Sequence, residues 1–247
     1  MKSVEAIWEK RNLGVSCREI YIESSDSMTD IRKYLDTVTE EYQVLFMPVQ
    51  CSEWLIEVQK YGFQYIESNF DLVKKCKGQD CLPATYRKLL DHVSCRVFAS
   101  KEEQEFLENL RTKNFFDKDK ISIDPYFSKE KSANRNYWRT MDYLEEKRNL
   151  RFYEVYYSER PIGFFILEPK ERGIIDAYLS GLYSECRETN LGACVMGEQT
   201  REAMRLGADF VTAGVSLNNF ACLRVYQGLG YEIKRATNIF VKHRREV

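Results

Sequence analysis

Two hydrophobic periods alternate along the chain, and their order sets the expected elements. From Ser16 to Glu23, Cys17, Glu19, Tyr21 and Glu23 alternate with Arg18, Ile20 and Ile22, the period of a strand. From about Thr29, the residues Ile31, Tyr34, Leu35 and Val38 recur at helical spacing. Val44 to Met47 predicts a short apolar strand, Ser52 to Tyr61 a helix stopped by Gly62, and Phe63 to Lys74 a strand or hairpin. Lys77-Gly78-Gln79-Asp80, followed by Pro83, predicts a linker.

After the linker, His92 to Ala99 reads as a strand, Lys101 to Leu110 as a helix, Arg111 to Lys131 as loop, and Glu130 to Glu146 as a second helix. Phe152 to Tyr157, Ile162 to Leu167 and Ile174 to Tyr183 predict three strands, the first two joined at Glu159-Arg160-Pro161. A long helix is expected from about Leu191 to Leu206, then a strand from Phe210 to Val215, a helix from Asn219 to Gly228, and a final strand or strand pair from Tyr231 to Val241. Three adjacent strands form a meander, and two strand–helix units supply parallel-type connections, so the class is mixed α/β (α+β). A shift of 168 residues places Leu55, Gln59, Gly62, Val73 and Lys74 on Leu223, Gln227, Gly230, Val241 and Lys242 without a gap. A degenerate half-copy of the C-terminal unit explains this, and so does a generic strand–helix–strand pattern. The expected domains are 1–82 and 83–247.

Composition narrows the function classes. The hydrophobic fraction is 44% and the charged fraction 30%, ordinary for a globular protein. The 37 basic and 38 acidic residues are mixed along the chain, so no clustered basic footprint for nucleic acid is present. No apolar run approaches the roughly 20 residues of a membrane helix. Met1 to Lys10 carries charges and no apolar core, unlike a signal peptide. A cytoplasmic location without membrane partners is therefore expected. The eight cysteines include no CxxC pair, and the histidines are only His92 and His243, so no metal site is expected and the thiols read as small apolar fillers. The basic end Lys242-His243-Arg244-Arg245 reads as a solvated tail.

The candidate chemistry lies in the C-terminal half. The strand ending near Leu182 runs into Arg187-Glu188-Thr189-Asn190-Leu191-Gly192-Ala193 and then the long helix. A loop that opens a helix offers unpaired N–H groups and the positive end of the dipole, and it suits a pyrophosphate. Gly192 and Ala193 are small enough for close backbone approach. Asn219 stands where a helix cap is expected, and Tyr226 follows seven residues on, ahead of Gly228-Leu229-Gly230-Tyr231. Along Ile174–Tyr183 strict alternation puts Asp176, Tyr178 and Ser180 on one face and Ala177 and Leu179 on the other.

Together these pieces resemble the GNAT N-acetyltransferase superfamily. Arg187 and Gly192 match its Arg/Gln-x-x-Gly-x-Gly/Ala loop, with Asn190 in place of the first glycine; Asn219, Cys222, Tyr226 and Gly230-Tyr231 follow its later motif. The likeness covers about residues 85–247. Trp8-Glu9 with Gly14, and the unit ending in Gly62-Phe63, look like the dTDP-fucosamine acetyltransferase subgroup, in which a truncated GNAT-like half precedes a complete GNAT domain.

The resemblance implies a GNAT fold with a central mixed sheet behind a smaller half-domain. It implies acetyl-CoA as co-substrate, held by Leu182, Arg187, Glu188, Thr189, Asn190, Leu191, Gly192, Ala193 and Asn219, with Tyr226 as general acid to the leaving thiolate. Leu182 would offer its N–H to the acetyl carbonyl. The acceptor would be a small-molecule primary amine, a nucleotide-linked amino sugar if the narrower likeness holds, with Asp176 or Glu168 taking its proton through water. Phe115 to Trp138 would wall the acceptor. A covalent route through Cys186 or Cys194 is disfavoured. Exposed edge strands in such a fold leave room for a homodimer. The rival reading is a non-catalytic acyl-CoA-binding or regulatory module, which loss of the first loop glycine favours and retention of Tyr226 opposes.

Overall fold

A run that is apolar at every position, Ile162 to Leu167, can be buried only if both faces of its strand are covered. That is its setting in the computed structural model, which describes residues 1–76, 82–113, 115–187 and 189–244. Phe164 and Phe165, on opposite faces, are both fully buried, each contributing about 1.5–3 kcal/mol of transfer free energy.

Among the described residues the strands are β1 (Lys2–Glu5), β2 (Cys17–Tyr21), β3 (Tyr42–Pro48), β4 (Gln64–Lys75), β5 (Val93–Val97), β6 (Arg151–Tyr157), β7 (Arg160–Pro169), β8 (Ile174–Leu182), β9 (Phe210–Ser216) and β10 (Glu232–His243). The helices are α1 (Trp8–Leu13), α2 (Met28–Leu35), α3 (Leu55–Lys60), α4 (Ala84–Leu89), α5 (Ser100–Thr112), α6 (Lys120–Ile123), α7 (Lys129–Glu145), α8 (Gly192–Arg205) and α9 (Phe220–Gly228). The strands form one ten-stranded sheet in the order β1-β2-β3-β10-β4-β9-β8-β7-β6-β5.

The helices divide between the two faces. Ile31, Leu35 and Val58 from α2 and α3 pack with Leu45 and Met47 of β3, while Val195, Met196 and Ala203 of α8 and Leu223 of α9 pack with Val211, Ala213 and Val215 of β9. These helices share one face, called here the α8 face. The other, the α7 face, carries α1 and α6 over Val44 and Ile239, and α5 and α7 over Phe152, Phe164 and Ile166.

The two ends of the chain interleave at the centre. β4 does not pair with β3; it lies between β9 and β10, antiparallel to both. β10 in turn lies between β4 and β3. The last βα unit therefore does not end beside β9, and a strand from the N-terminal part stands there instead.

Most expected elements are present, with three corrections. The stretch Arg111 to Lys131, expected as loop, contains α6, nucleated by the Asp119 carboxylate, which accepts from the N–H groups of Ile121 and Ser122. The expected solvated end is partly a strand: Lys242 and His243 close β10, and His243 meets Asp124 at 2.8 Å beneath the stacked ring of Tyr126. Helices α1 and α4 are too short to show a helical period in sequence. The predicted linker Lys77–Asp80 lies outside the described residues.

Candidate functional site

The site begins with a break in pairing. β8 and β9 run parallel from Ile174/Phe210 to Asp176/Thr212 and then part, although β8 continues to Leu182 and β9 to Ser216. The cause lies on the other edge of β8. Ile166 pairs with Leu179 and Leu167 with Ala177, so Tyr178 is an extra residue, a β-bulge that bends the strand away from β9.

The bulge also resets the alternation of side chains. Strict period two puts Ser180 with Asp176. With one residue inserted, Leu179 joins the α7-face cluster, and Ser180, opposite the α8-face residue Phe165, turns to the α8 face. There it faces the Tyr226 phenol, whose pKa it draws down against the effect of burial. The expectation of a shared Asp176–Ser180 face is thus corrected by a single residue.

Tyr226 sits on α9, and its hydroxyl donates to Gln199 Oε1 at 3.3 Å. The Gln199 amide of α8, itself buried, donates at 3.4 Å to the carbonyls of Leu179 and Ile166, which flank the bulge. Gln199 therefore ties the bulge to the phenol. Burial, reinforced by Cys222 and Tyr231, pushes the Tyr226 phenol well above its ordinary pKa, with Ser180 opposing the shift.

The loop and helix start lie at the mouth of the split. Leu182 closes β8, and its Cδ1 lies 3.8 Å from the position a Cβ would take on Gly192, the first residue of α8. The N–H of Tyr183 donates to Ile162 of β7, and adjacent strand amides point to opposite edges, so the N–H of Leu182 points into the split. Arg187, Thr189 and Asn190 are exposed, and Leu191, Gly192 and Ala193 half-buried. The Thr189 hydroxyl donates to Cys186 O and receives Leu191 N–H, which shapes the turn. Asn219 caps α9 by accepting from the N–H of Cys222. Glu188 lies outside the described residues. Cys186 and Cys194 are buried, and burial pushes the Cys194 thiol up, away from a thiolate nucleophile.

On the α7 face the split opens into a cavity of about 710 Å³. Its floor is β8 and β9, with Asp176, Thr212 and Gly214, and one wall is β4, with Asn69 and Asp71. A Cβ added to Gly214 would meet nothing within 4 Å, so this glycine leaves the space open. The Thr212 hydroxyl donates to Asp176 at 2.6 Å, and Lys170 lies 3.3 Å from the same carboxylate. Glu168 is absorbed elsewhere: Arg148 donates to it through two nitrogens and holds it below the usual carboxylate range despite burial. Of the two carboxylates singled out in the sequence, Asp176 alone lines the cavity.

Sequence reasoning missed Gln199, Gly214 and the β4 residues. A glutamine inside an amphipathic helix and a glycine inside an apolar strand were visible as departures from pattern. Nothing local could say that β4 would stand beside β9. Among the described residues no cluster suited to a metal ion occurs, and no helix is long and apolar enough to cross a membrane.

No family model and no curated protein matches the chain. Solved structures do. A GCN5-related N-acetyltransferase from Sphaerobacter thermophilus aligns over 94% of this chain and 74% of its own, with 12% identity and a TM-score of 0.62. The chain has a GNAT fold. A GCN5-related N-acetyltransferase from Kribbella flavida aligns over 92% of this chain and 81% of its own, with 16% identity and a TM-score of 0.52. A tandem GNAT protein from the clavulanic acid biosynthesis pathway aligns over 83% of this chain and 65% of its own, with 11% identity and a TM-score of 0.52. The tandem relative fits the division of this GNAT sheet into two halves.

Proposed function

We propose that the chain is an acetyl-CoA-dependent N-acetyltransferase acting on the primary amine of a small molecule. The parting of β8 and β9 at Tyr178 carries this reading, because it joins a helix N-terminus on one side to a polar cavity on the other. The residues fit the co-substrate: the first turn of α8 presents N–H groups to a pyrophosphate, and Gly192 lets it approach. Bound acetyl-CoA supplies the thioester carbonyl on which the amine acts.

This chain's residues then have defined tasks. The N–H of Leu182, pointing into the split, stabilises the oxygen that gains charge. The acceptor loses its ammonium proton to Asp176 through water, and the neutral nitrogen forms the new C–N bond as the C–S bond breaks. The Tyr226 hydroxyl gives its proton to the sulfur, and the proton shed by the acylated nitrogen restores the phenol through Ser180 and water. Burial keeps the phenol protonated at neutral pH, which suits an acid and excludes a resting base. The acceptor class includes amino sugars linked to nucleotides, which the N-terminal resemblance implies. A thiol-release assay with acetyl-CoA and a panel of amines tests the proposal. Amine-dependent release supports it; CoA binding with no release for any amine favours a non-catalytic acyl-CoA-binding module.

A further inference from the structure

The cavity on the α7 face is not electrically neutral. Its lining carries Arg139, Lys234 and Arg235 against Asp71 and Asp176. Arg235 is committed to Asp71 at 3.0 Å, and Asp176 to Thr212 and Lys170. Arg139 is different. Among the described residues it has no carboxylate within ion-pairing distance. Its hydrogen bonds go to the Tyr143 hydroxyl, both long at 3.3 Å. Its guanidinium lies over the rings of Tyr143 and Tyr178, 5.6 Å from each centroid, and remains open to solvent within the cavity.

Two ring faces hold this planar cation in place, and while Nε and Nη2 reach the Tyr143 hydroxyl, Nη1 has no hydrogen-bond partner among the described residues, an arrangement suited to carboxylate or phosphate. Tyr143 reports the same field. Burial alone would push its phenol up, but the guanidiniums of Arg139 and Arg148 outweigh burial and hold it below its ordinary value. Arg148 is neutralised by Glu168, so the uncompensated charge belongs to Arg139.

We propose that the acceptor carries an anionic group, carboxylate or phosphate, bound by Arg139 with support from Lys234, while its amine lies toward Asp176. This deepens the acetyltransferase reading and rests on it for the amine. The bulge serves both ends: Tyr178, the inserted residue, carries the ring against which Arg139 lies, and two residues before it is the carboxylate.

Three small primary amines test the proposal on the full-length chain: β-alanine, O-phosphoethanolamine and ethanolamine. Binding is measured by ligand-detected NMR without acetyl-CoA, and turnover by thiol release with it. At least one anionic amine should bind about tenfold to a hundredfold tighter than ethanolamine, the weight of a charge-assisted hydrogen bond. Arg139→Gln should collapse that margin, and Arg139→Lys should restore part of it, with unfolding midpoints checking that both variants fold. The tighter of the two anions identifies carboxylate or phosphate. Ethanolamine binding as tightly as both, no binding by any of the three, or an intact margin in Arg139→Gln would overturn the proposal. An anionic margin without CoA binding or thiol release would keep this inference and defeat the acetyltransferase reading instead.

Discussion

Asn69 and Thr237 face each other across the centre of the sheet, and the 168-residue shift that aligns the two parts of the chain carries the first onto the second. A pair related in this way lies on a local two-fold axis. Their outer neighbours obey the same relation: Asn69 pairs with Ser216 of β9, and Thr237 with Pro48 of β3. The shift lays β3 on β9 and β4 on β10 end to end, and it lays Gly62 (φ 83°) on Gly230 (φ 87°). Both glycines release the chain from a helix in the left-handed conformation that L side chains avoid. Few identities survive, but the symmetric register favours duplication over a generic pattern. Each half gives its last strand to the other, so β4 builds the wall of the cavity beside β9.

The split between strands is confined to one half. β2 is paired with β3 along its whole length, with no bulge and no split. The counterpart of Gly214 in the 168-residue shift is Phe46, whose ring stacks on Tyr21 at 4.5 Å. The cavity beside them measures about 210 Å³. Calorimetry should therefore give one CoA per chain; two equivalent sites would overturn this.

Tyr226→Phe keeps the ring and removes the proton. Turnover should fall by about 10²–10⁴-fold, the contribution of a positioned acid, with CoA affinity nearly unchanged. The raised phenol pKa gives a second readout. The native state holds this proton above pH 10 while the unfolded chain releases it, so stability is full below about pH 10 and declines as pH rises beyond it. The Phe variant should lose part of that alkaline decline. Near-full turnover across the pH range would return Tyr226 to a packing role.

Gly192→Val should abolish CoA binding without unfolding the chain. Among the described residues a Cβ there meets only Leu182 Cδ1, at an ordinary 3.8 Å, so the added bulk faces the ligand. Asn190→Gly, by contrast, should be tolerated. Retained CoA affinity in the valine variant, measured by calorimetry, would place the pyrophosphate elsewhere.

Gln199→Leu has nearly the same volume and none of the hydrogen bonds. The carbonyls flanking the bulge and the Tyr226 hydroxyl would lose their partner, at about 1–3 kcal/mol for each group left unsatisfied. The unfolding midpoint should drop, and kcat should fall more than the KM for acetyl-CoA rises. A stable variant with normal kcat would show that the bulge holds Tyr226 without the amide.

Periodicity in the sequence determined most elements, because the spacing of apolar residues within a strand or helix is a local property. The helical spacing from about Leu191 to Leu206 announced α8, and Asn219 announced the start of α9. The GNAT-like loop and the Tyr226 spacing were legible for the same reason, each lying within a dozen residues. Three things were decided only by the tertiary structure. β4 was placed beside β9 by pairing between residues more than a hundred positions apart, which no local pattern encodes. Among the described residues Arg139 has no carboxylate partner, because Asp71 pairs with Arg235 and Glu168 with Arg148. Ser180 was turned toward Tyr226 by one bulged residue, Tyr178, because side-chain direction in a strand has period two, and an insertion that leaves the sequence pattern intact reverses every face beyond it.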